Sequence, residues 1–331
     1  MDLTENDIMG MAMGFQKSRV LLTAFELGVF SVVGDDRKSP EEIAGELTVN
    51  ARAVDRLMNA LCAMGLLGKK DGLFFNTPTS KRYLTKQSPE YIAGLMHGAN
   101  LWNTWSTLTE AVRNGKSVYT DASIDQRDPE WLKAFISAMH FRGKKAAPAL
   151  VSMLDLSGVS SVLDVGGGSG VYAMAMVKAN ANIRATVFDL PNVVSLTRRY
   201  IESEGLYGKV ATLEGDYHVD SLGSGYDLIL LSSILHSHSS ARNIKLLEKC
   251  VQALHPNGQV VVQEFIVDED RVHPENAAFF ALNMLVGTDG GDTYTESEVR
   301  GWMTWVGLTA ISRTDTPFGT TLMIGRKGSS D

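Results

Sequence analysis

Cysteine is scarce in this chain, with two residues, Cys62 and Cys250, among 331. Each lies in an apolar helical pattern, which predicts reduced core residues and excludes a disulfide framework. The N-terminus also lacks the positive charge of a secretory signal and carries Asp2, Glu5 and Asp7 instead. We therefore expect a cytoplasmic protein.

Basic charge and long apolar runs are scarce as well. The 31 lysines and arginines are outnumbered by 38 acids, so the net charge of −7 leaves no basic excess to neutralise nucleic-acid phosphates. No run reaches the roughly 20 apolar residues of a membrane span, because side chains such as Arg19 and Glu26 interrupt the most apolar N-terminal stretch. With 44% hydrophobic and 21% charged residues, the composition is that of an ordinary soluble globular protein.

The hydrophobic pattern changes near residue 155. Before this point the pattern is almost wholly helical, whereas from residue 159 short β-branched runs alternate with helices. A chain of this length is long enough to form two domains. We predict a mostly α-helical domain over residues 1–155 and an α/β domain over residues 156–331.

Residues 39–75 carry the pattern of a winged helix. Ser39 is a predicted N-cap with Pro40 in the first helical position, and Asn50 caps a second helix. A hairpin follows, turning at Asp71-Gly72. Helix, turn, helix and hairpin in this order make a winged helix.

A winged helix can serve in DNA binding or in dimerisation, and the motif alone does not decide between these two functions. The helix that would read DNA offers Arg52 and Arg56, which is a thin basic surface in an acidic chain. The flanking segments 9–30 and 131–150 hold more apolar surface than one small domain can cover. We therefore favour a homodimer over a DNA-binding regulator.

The second domain has the alternation of a Rossmann-like, doubly wound α/β sheet. The predicted strands cover residues 161–165, 183–188, 209–213, 226–232, 258–266, 307–313 and 320–326. Ligands of such sheets bind beyond the carboxyl ends of the strands. Functional residues are therefore expected where these strands end.

A glycine-rich turn follows the first of these strands. Residues 161–170 read Ser-Val-Leu-Asp-Val-Gly-Gly-Gly-Ser-Gly and lead into an apolar helix. Glycines let the chain reverse sharply while a ligand lies against bare backbone. We predict a cofactor-binding turn formed by Gly166, Gly168 and Gly170.

The spacing of these glycines distinguishes two cofactors. A dinucleotide fingerprint needs Gly-x-Gly-x-x-Gly, but the position of its third glycine is Val171 here. Asp164 adds a carboxylate that suits an ammonium and a sulfonium better than a pyrophosphate. We therefore predict S-adenosyl-L-methionine rather than NAD.

Acidic residues follow the next two strands. Asp189 can accept both ribose hydroxyls of the cofactor, with an N-cap for the following helix as the alternative. Asp216 can accept from the adenine amino group and Tyr217 can cover the ring, with a turn acid as the alternative for Asp216.

His236 ends the fourth strand, where a general base belongs in such a sheet. Imidazole, with a pKa of about 6.5, can take the proton of a hydroxyl as its oxygen attacks a methyl group. Glu264, which follows three valines near the end of the fifth strand, is costly to bury alone. We expect it to hold one ring nitrogen of His236.

A metal site is the alternative use of the histidines. His236 and His238 would point to opposite faces if they alternated along a strand, and no carboxylate cluster converges on them. We therefore expect no metal.

The ordered motifs resemble the caffeic acid and acetylserotonin type of S-adenosylmethionine-dependent O-methyltransferase. They are Asp-Val-Gly-Gly-Gly-Ser-Gly, Phe-Asp-Leu-Pro, Gly-Asp, Leu-His and a glutamate 28 residues after that histidine. The resemblance implies an obligate homodimer through the winged-helix domain, no metal, and methyl transfer to a hydroxyl with His236 as base and Glu264 orienting it. It also implies that Leu190 contacts the cofactor and that Ser232 stands where plant members have a cofactor-binding lysine.

The chain departs from that family around the base. The family's usual His-Asp-Trp is His236-Ser237-His238 here. The second family glutamate falls on Thr293, with Asp292 as a displaced substitute. Because of these changes, the alternative function is that of a family member that binds the cofactor without transferring its methyl group.

We expect a flat, apolar acceptor such as an aromatic or polyketide-like hydroxylated metabolite. Aromatic and methionine side chains before and after the cofactor turn suit such a molecule, although core packing is the alternative for each. The candidates are Trp102, Trp105, Phe135, Met139, Phe279, Phe280, Asn283 and Met284.

Overall fold

The computed structural model describes residues 2–119 and 128–329. By internal contacts the chain divides into two compact units, Met1–Trp102 and Asn103–Asp331. The change of pattern predicted near residue 155 coincides with the start of the main sheet, and the helices just before it share the compact unit of that sheet.

The N-terminal unit consists of helices and one β-hairpin. Its elements are α1 (Glu5–Met13), α2 (Phe15–Leu27), α3 (Val29–Val33), α4 (Pro40–Leu47), α5 (Ala51–Ala63), β1 (Leu67–Lys70), β2 (Leu73–Asn76), α6 (Pro78–Tyr83) and α7 (Leu95–Trp105), the last of which crosses the unit boundary. The order of α4, α5, β1 and β2 confirms the winged helix.

Local signals set the ends of the winged-helix elements. Ser39 and Glu42 form a capping box at the start of α4, and Asn50 caps α5. The hairpin turns at Asp71 and Gly72, whose φ angles of 53° and 80° are both positive, as a two-residue hairpin turn requires.

Two cations near α5 have one carboxylate beside them. Asp55 lies 3.8 Å from Arg56 and 3.6 Å from Lys69 on the hairpin. This one carboxylate offsets part of the small positive charge on this face, which further weakens the electrostatic case for a DNA contact.

Helix α1 leaves all its side chains exposed or nearly so. No residue of it is buried, and Ile8, Met9, Met11 and Met13 are between 44% and 67% exposed. Phe15, which begins α2, is 52% exposed. Exposed apolar side chains grouped along one helix are typical of an interaction surface.

The C-terminal unit contains a seven-stranded sheet covered by helices. Its helices are α8 (Leu108–Asn114), α9 (Pro129–Ser152), α10 (Val171–Ala179), α11 (Pro191–Ser203), α12 (Ser240–Ala253), α13 (Glu275–Gly287) and α14 (Glu296–Trp305). Its strands are β3 (Ser161–Val165), β4 (Arg184–Asp189), β5 (Val210–Glu214), β6 (Tyr226–Ser232), β7 (Leu254–Glu264), β8 (Ile266–Val267), β9 (Tyr294–Thr295), β10 (Leu308–Asp315) and β11 (Thr321–Lys327).

The sheet order is β10-β11-β7-β6-β3-β4-β5. Strands β3 to β7 are parallel, whereas β11 is antiparallel to both β7 and β10. This order confirms the doubly wound sheet and the seven predicted strands, with ends shifted by a few residues. The short parallel pair of β8 and β9 was not predicted.

The parallel strands have buried apolar side chains on both faces, as a sheet between two helical layers requires. In β6, Leu228 and Leu230 face one core cluster, and Ile229 and Leu231 face the other. Because parallel strands end at the same edge, this sheet brings the segments after β3, β4, β5, β6 and β7 to one side of the unit.

The apolar segment 131–150 is partly covered within the chain. It lies in α9, which approaches α10 so closely that a Cβ at Gly143 would lie 2.4 Å from a methyl carbon of Val171. Ile136 and Leu150 are buried. Neither α9 nor any other helix in the described part of the chain is long and apolar enough to cross a bilayer.

Candidate active site

The glycine turn between β3 and α10 needs glycine for two reasons. Gly166, Gly168 and Gly170 have φ angles of 64°, 57° and 73°, in the left-handed region that other residues rarely adopt. Gly167 lies over Asp164, because a Cβ at this position would be 2.8 Å from the carboxylate oxygen Oδ2. The turn therefore presents bare backbone at the carboxyl edge of the sheet.

Asp164 lies under this turn and is 1% exposed. Neither of its carboxylate oxygens has a hydrogen bond of standard geometry among the residues that the structure describes. Burial raises the pKa of Asp164 to about 7, opposed by the backbone N–H of Ala173 and assisted by the charge of Asp189. Such a carboxylate is costly to keep ionised unless a positive group approaches it.

Asp189 ends β4 and connects it to the glycine turn. Its Oδ2 accepts a hydrogen bond from the N–H of Gly168, and its Oδ1 accepts one from the N–H of Leu190, each at 2.8 Å. The N-cap residue of α11 is Leu190, so Asp189 is not the helix cap that the alternative required. Burial raises the pKa of Asp189 to about 6.

Asp216 and Tyr217 follow β5. One carboxylate oxygen of Asp216 accepts from the N–H of His218 at 2.8 Å, as in a turn stabilised by an aspartate. The Tyr217 ring reaches the glycine turn, since a Cβ at Gly166 would be 3.5 Å from its Cε1. Its hydroxyl lies 2.7 Å from Nε2 of His238.

Ser232 ends β6, and its hydroxyl is already engaged within the sheet. It donates to Oε1 of Gln263 at 2.8 Å, and Nε2 of Gln263 donates to the hydroxyl of Thr320 at 3.1 Å. The side chain at this position is thus a neutral hydrogen-bonded group.

His236 lies just beyond β6, in a short 3₁₀ helix over Leu235–Ser237. The strand ends because Ser233 has a φ of 59°, which turns the chain out of the sheet. The prediction that His236 ends this strand was therefore wrong by a few residues, and the two histidines do not alternate along a strand. Among residues 2–119 and 128–329, no group of three or more His, Cys, Asp or Glu side chains has the arrangement of a metal site.

His236 and Glu264 form a buried pair, with 9% and 3% exposure. Nδ1 of His236 lies 2.8 Å from Oε2 of Glu264, and the backbone N–H of His236 donates to Oε1 at 3.3 Å. Both carboxylate oxygens thus contact the same residue. When Nδ1 carries its proton towards Glu264, Nε2 is left as the proton acceptor of the ring.

Asp292 does not replace the second family glutamate. Its backbone N–H donates to the carbonyl of His236 at 2.9 Å, but its carboxylate accepts from the N–H of Thr293 and lies 3.8 Å from the guanidinium of Arg271. The side chain is thus directed to the protein surface, and Glu264 is the carboxylate that contacts the imidazole.

Two aromatic rings lie beside His236. The Phe280 ring is 4.8 Å from the imidazole in an edge arrangement, which agrees with its place among the predicted acceptor residues. Phe265, which was not predicted, lies 6.4 Å from the imidazole and 4.5 Å from the Phe280 ring. Its position directly after Glu264 was the available sequence signal.

Four further candidates on α7 and α13 have different environments. Nε1 of Trp105 donates to Oδ1 of Asn283 at 2.9 Å, which joins two of them. Met284 is buried at 7% exposure. Phe279, in contrast, is 55% exposed, so its ring does not share the environment of Phe280.

The remaining candidates lie on α9 and in the N-terminal unit. Phe135 stacks on Trp131 at 5.3 Å along α9, and Met139 on the same helix is half-buried. Trp102 belongs to the N-terminal unit, where the guanidinium of Arg19 lies 5.5 Å from its ring.

Known proteins share this chain's sequence and fold. Residues 105–308 match the O-methyltransferase domain family, and residues 9–86 match the O-methyltransferase dimerisation domain family. The chain is 32% identical to a 3-hydroxy-5-methyl-1-naphthoate 3-O-methyltransferase of Streptomyces sahachiroi, over 91% of this chain and 88% of that protein. It is 31% identical to the tetracenomycin polyketide synthesis 8-O-methyl transferase of Streptomyces glaucescens, over 97% and 96%.

Among solved structures, human N-acetylserotonin methyltransferase in complex with S-adenosylmethionine is similar over 99% of both chains. The TM-score is 0.86 and the identity is 26%. Together with the matched domains, these similarities span the winged helix, the glycine turn and the His236–Glu264 pair. The chain therefore belongs to the O-methyltransferase family and carries that family's dimerisation domain before its catalytic domain.

Proposed function

We propose that this enzyme transfers a methyl group from S-adenosyl-L-methionine to a hydroxyl of a small aromatic or polyketide-like metabolite. The observation that carries the proposal is the buried His236–Glu264 pair. This pair lies at the carboxyl ends of β6 and β7, which is the same edge of the parallel sheet as the glycine turn after β3. That edge is where ligands of such sheets bind.

The residues around the turn fit this cofactor. The bare backbone of Gly166, Gly168 and Gly170 leaves room for a ligand, and Asp189 at the end of β4 would hold the ribose hydroxyls. The buried carboxylate of Asp164 favours a ligand that brings positive charge. S-adenosylmethionine would supply an electrophilic methyl group on a sulfonium together with a charged ammonium.

The base-assisted step needs only the His236–Glu264 pair from this chain. Nε2 of His236 takes the proton of the acceptor hydroxyl, so that the oxygen becomes a better nucleophile as it bonds to carbon. Glu264 holds Nδ1 and stabilises the imidazolium that forms. Most of the acceleration would come from alignment of oxygen and methyl group in a site that excludes water.

The acceptor class follows from the rings at the base. Phe265 and Phe280 provide flat apolar surface beside His236, which suits an aromatic ring carrying the reactive hydroxyl. The two Streptomyces relatives are named for a naphthoate and for tetracenomycin polyketide synthesis, which supports the same class of acceptor.

We also propose that the enzyme works as a homodimer through its N-terminal unit. The exposed apolar side chains of α1 need a covering surface, and residues 9–86 match a dimerisation domain. A second copy of the same unit supplies a self-complementary partner.

The test has two parts. Calorimetric titration should show binding of S-adenosylhomocysteine and none of NAD. Incubation with methyl-labelled S-adenosylmethionine and a panel of hydroxynaphthoates, hydroxyanthraquinones and simple phenols should then label a hydroxylated product. Binding of the cofactor without transfer to any panel member would favour a non-methylating relative, whereas binding of NAD alone would contradict the cofactor assignment.

A further inference from the structure

Position 238 carries histidine where the family resemblance has tryptophan, and the structure gives this histidine a specific contact. Its Nε2 lies 2.7 Å from the hydroxyl oxygen of Tyr217, although the two residues follow different strands. Indole nitrogen is a hydrogen-bond donor only, so tryptophan at this position could not accept from a tyrosine hydroxyl. The histidine and the tyrosine therefore form a pair that depends on both residues.

The backbone of His238 is held in place by neighbours from two other elements. Its carbonyl accepts hydrogen bonds from the hydroxyl of Tyr294 and from the side-chain amide of Asn243 at 3.2 Å. Asn243 is fully buried and also donates to the carbonyl of Leu235 at 2.9 Å. The backbone at His238 is thus held by the protein itself, which gives the imidazole a defined starting point from which to position another group.

The imidazole is also held in the neutral form, which is the form that accepts. Burial lowers the pKa of His238 to about 3, and the nearby charges of His218, Arg242 and His236 act in the same direction. Burial raises the pKa of the Tyr217 hydroxyl, so this group stays protonated. A neutral imidazole pairs with the hydroxyl of Tyr217 in either tautomer, accepting at Nε2 when the ring proton is on Nδ1 and donating when it is on Nε2.

Tyr217 is restrained at its other end as well. Its carbonyl accepts a hydrogen bond from Nζ of Lys249 at 2.5 Å. The ring between these two anchors lies against the glycine turn, 3.5 Å from where a Cβ of Gly166 would be. A ring in this place can cover a flat ligand that rests on the turn.

We propose that His238 is a positioning residue of the cofactor site, which holds the Tyr217 ring over the glycine turn and thereby strengthens binding of the adenosyl group. This inference rests on the proposed function, because it takes the ligand of the turn to be S-adenosylmethionine. The residue acts through Tyr217 and takes no part in the proton transfer at His236.

A double-mutant cycle tests this coupling with S-adenosylhomocysteine as the probe in calorimetric titration. Tyr217→Phe and His238→Phe should each weaken binding about fivefold, which is the worth of one hydrogen bond. The double variant should also be about fivefold weaker, since both changes remove the same bond. Independent effects would multiply to about 25-fold and would overturn the proposal.

Kinetics separate positioning from a general structural effect. His238→Phe should raise KM for S-adenosylmethionine about fivefold and leave kcat within about twofold, because the interaction acts on binding. His238→Gln, whose amide oxygen can accept from the tyrosine, should restore most of the affinity. A fall in kcat at unchanged KM would contradict the proposal.

The neighbouring His218 supplies a matched control. Its ring makes edge contacts with Tyr217 and His238 but has no hydrogen bond within the described residues. His218→Phe should therefore bind S-adenosylhomocysteine within about twofold of the wild type. If the wild type itself fails to bind this probe, the proposed function fails; if it binds and the cycle is additive, the coupling alone fails.

Discussion

Nδ1 of His236 lies 2.8 Å from Oε2 of Glu264, across 28 residues of sequence. One residue follows β6 and the other ends β7, so the neighbouring parallel strands bring them together. Glu264 is 3% exposed, and the same carboxylate also accepts from the backbone of His236. This double contact orients the imidazole in a way that one hydrogen bond to a rotatable side chain would not.

Replacing Glu264 by glutamine should lower kcat without affecting cofactor binding. Glutamine keeps the shape of the side chain but cannot stabilise an imidazolium, so we expect kcat to fall about 100-fold. The Kd for S-adenosylhomocysteine, measured by calorimetry, should stay within about twofold. An unchanged kcat would remove Glu264 from the mechanism, and a large loss of cofactor affinity would assign it to binding instead.

Asp164→Asn should stabilise the ligand-free protein at high pH. The pKa of Asp164 is raised by burial to about 7, so the folded state binds its proton more tightly than the unfolded state does. The resulting stability is present below the unfolded pKa of about 4 and is lost as the pH rises through about 7. Asparagine is neutral throughout, so its advantage should appear at about pH 8 and vanish near pH 4.

Thermal unfolding of the two proteins across this range measures that difference. The variant should have the higher Tm at about pH 8 and should bind S-adenosylhomocysteine more weakly, because the acid facing the cationic ligand is gone. A Tm difference that does not change with pH would contradict the assignment of a buried, titrating carboxyl to Asp164.

Asp189→Asn should weaken cofactor binding more than it destabilises the fold. An amide retains one acceptor for the backbone contacts but loses the charge and the second acceptor that two ribose hydroxyls require. We expect the Kd for S-adenosylhomocysteine to rise about 10- to 100-fold. Titration of Asp189→Asn beside Asp216→Asn would show which carboxylate carries more of the affinity, and an unaffected Kd in the former would exclude a ribose contact.

The adjacent rings on α13 provide an internal comparison for the acceptor pocket. Phe280 lies 4.8 Å from the imidazole, whereas Phe279 is 55% exposed. Phe280→Ala should raise KM for the acceptor about tenfold or more, and Phe279→Ala should change it far less. Steady-state kinetics at saturating S-adenosylmethionine measure the KM of each variant. Equal effects of the two substitutions would contradict the assignment of Phe280, and not Phe279, to the acceptor pocket.

Charge on α1 should dissociate the proposed dimer. Met11 is 67% exposed, and a glutamate in its place would be buried without a partner if a second copy covers this helix. Light scattering should report a monomer for Met11→Glu and a dimer for the wild type. The matched control is Val272→Glu, at a 57% exposed position of the C-terminal unit, which should remain dimeric. A wild-type monomer would contradict the proposed assembly.

The sequence predicted the elements whose signals are local. The capped starts of α4 and α5, the Asp71-Gly72 hairpin and the buried strands each depend on a few neighbouring residues, and the structure confirms them. The position of His236 depends on the left-handed conformation of Ser233, which no composition rule signals.

Contacts between distant segments were harder to predict. The exposure of α1 and the coverage of α9 depend on which helix packs against which, and the same apolar pattern fits both outcomes. The pairing of His236 with Glu264 could be expected because adjacent parallel strands end together. The contact of Tyr217 with His238 could not, since it depends on side-chain directions in two loops.

The most direct test of the account is methyl transfer by the wild type and by His236→Ala, measured side by side with labelled S-adenosylmethionine and a hydroxyaromatic acceptor. The account predicts a labelled product from the wild type and a loss of at least about 100-fold in the variant, with equal binding of S-adenosylhomocysteine by both. Equal rates of labelling by the two proteins would contradict it, because His236 would then not be the base.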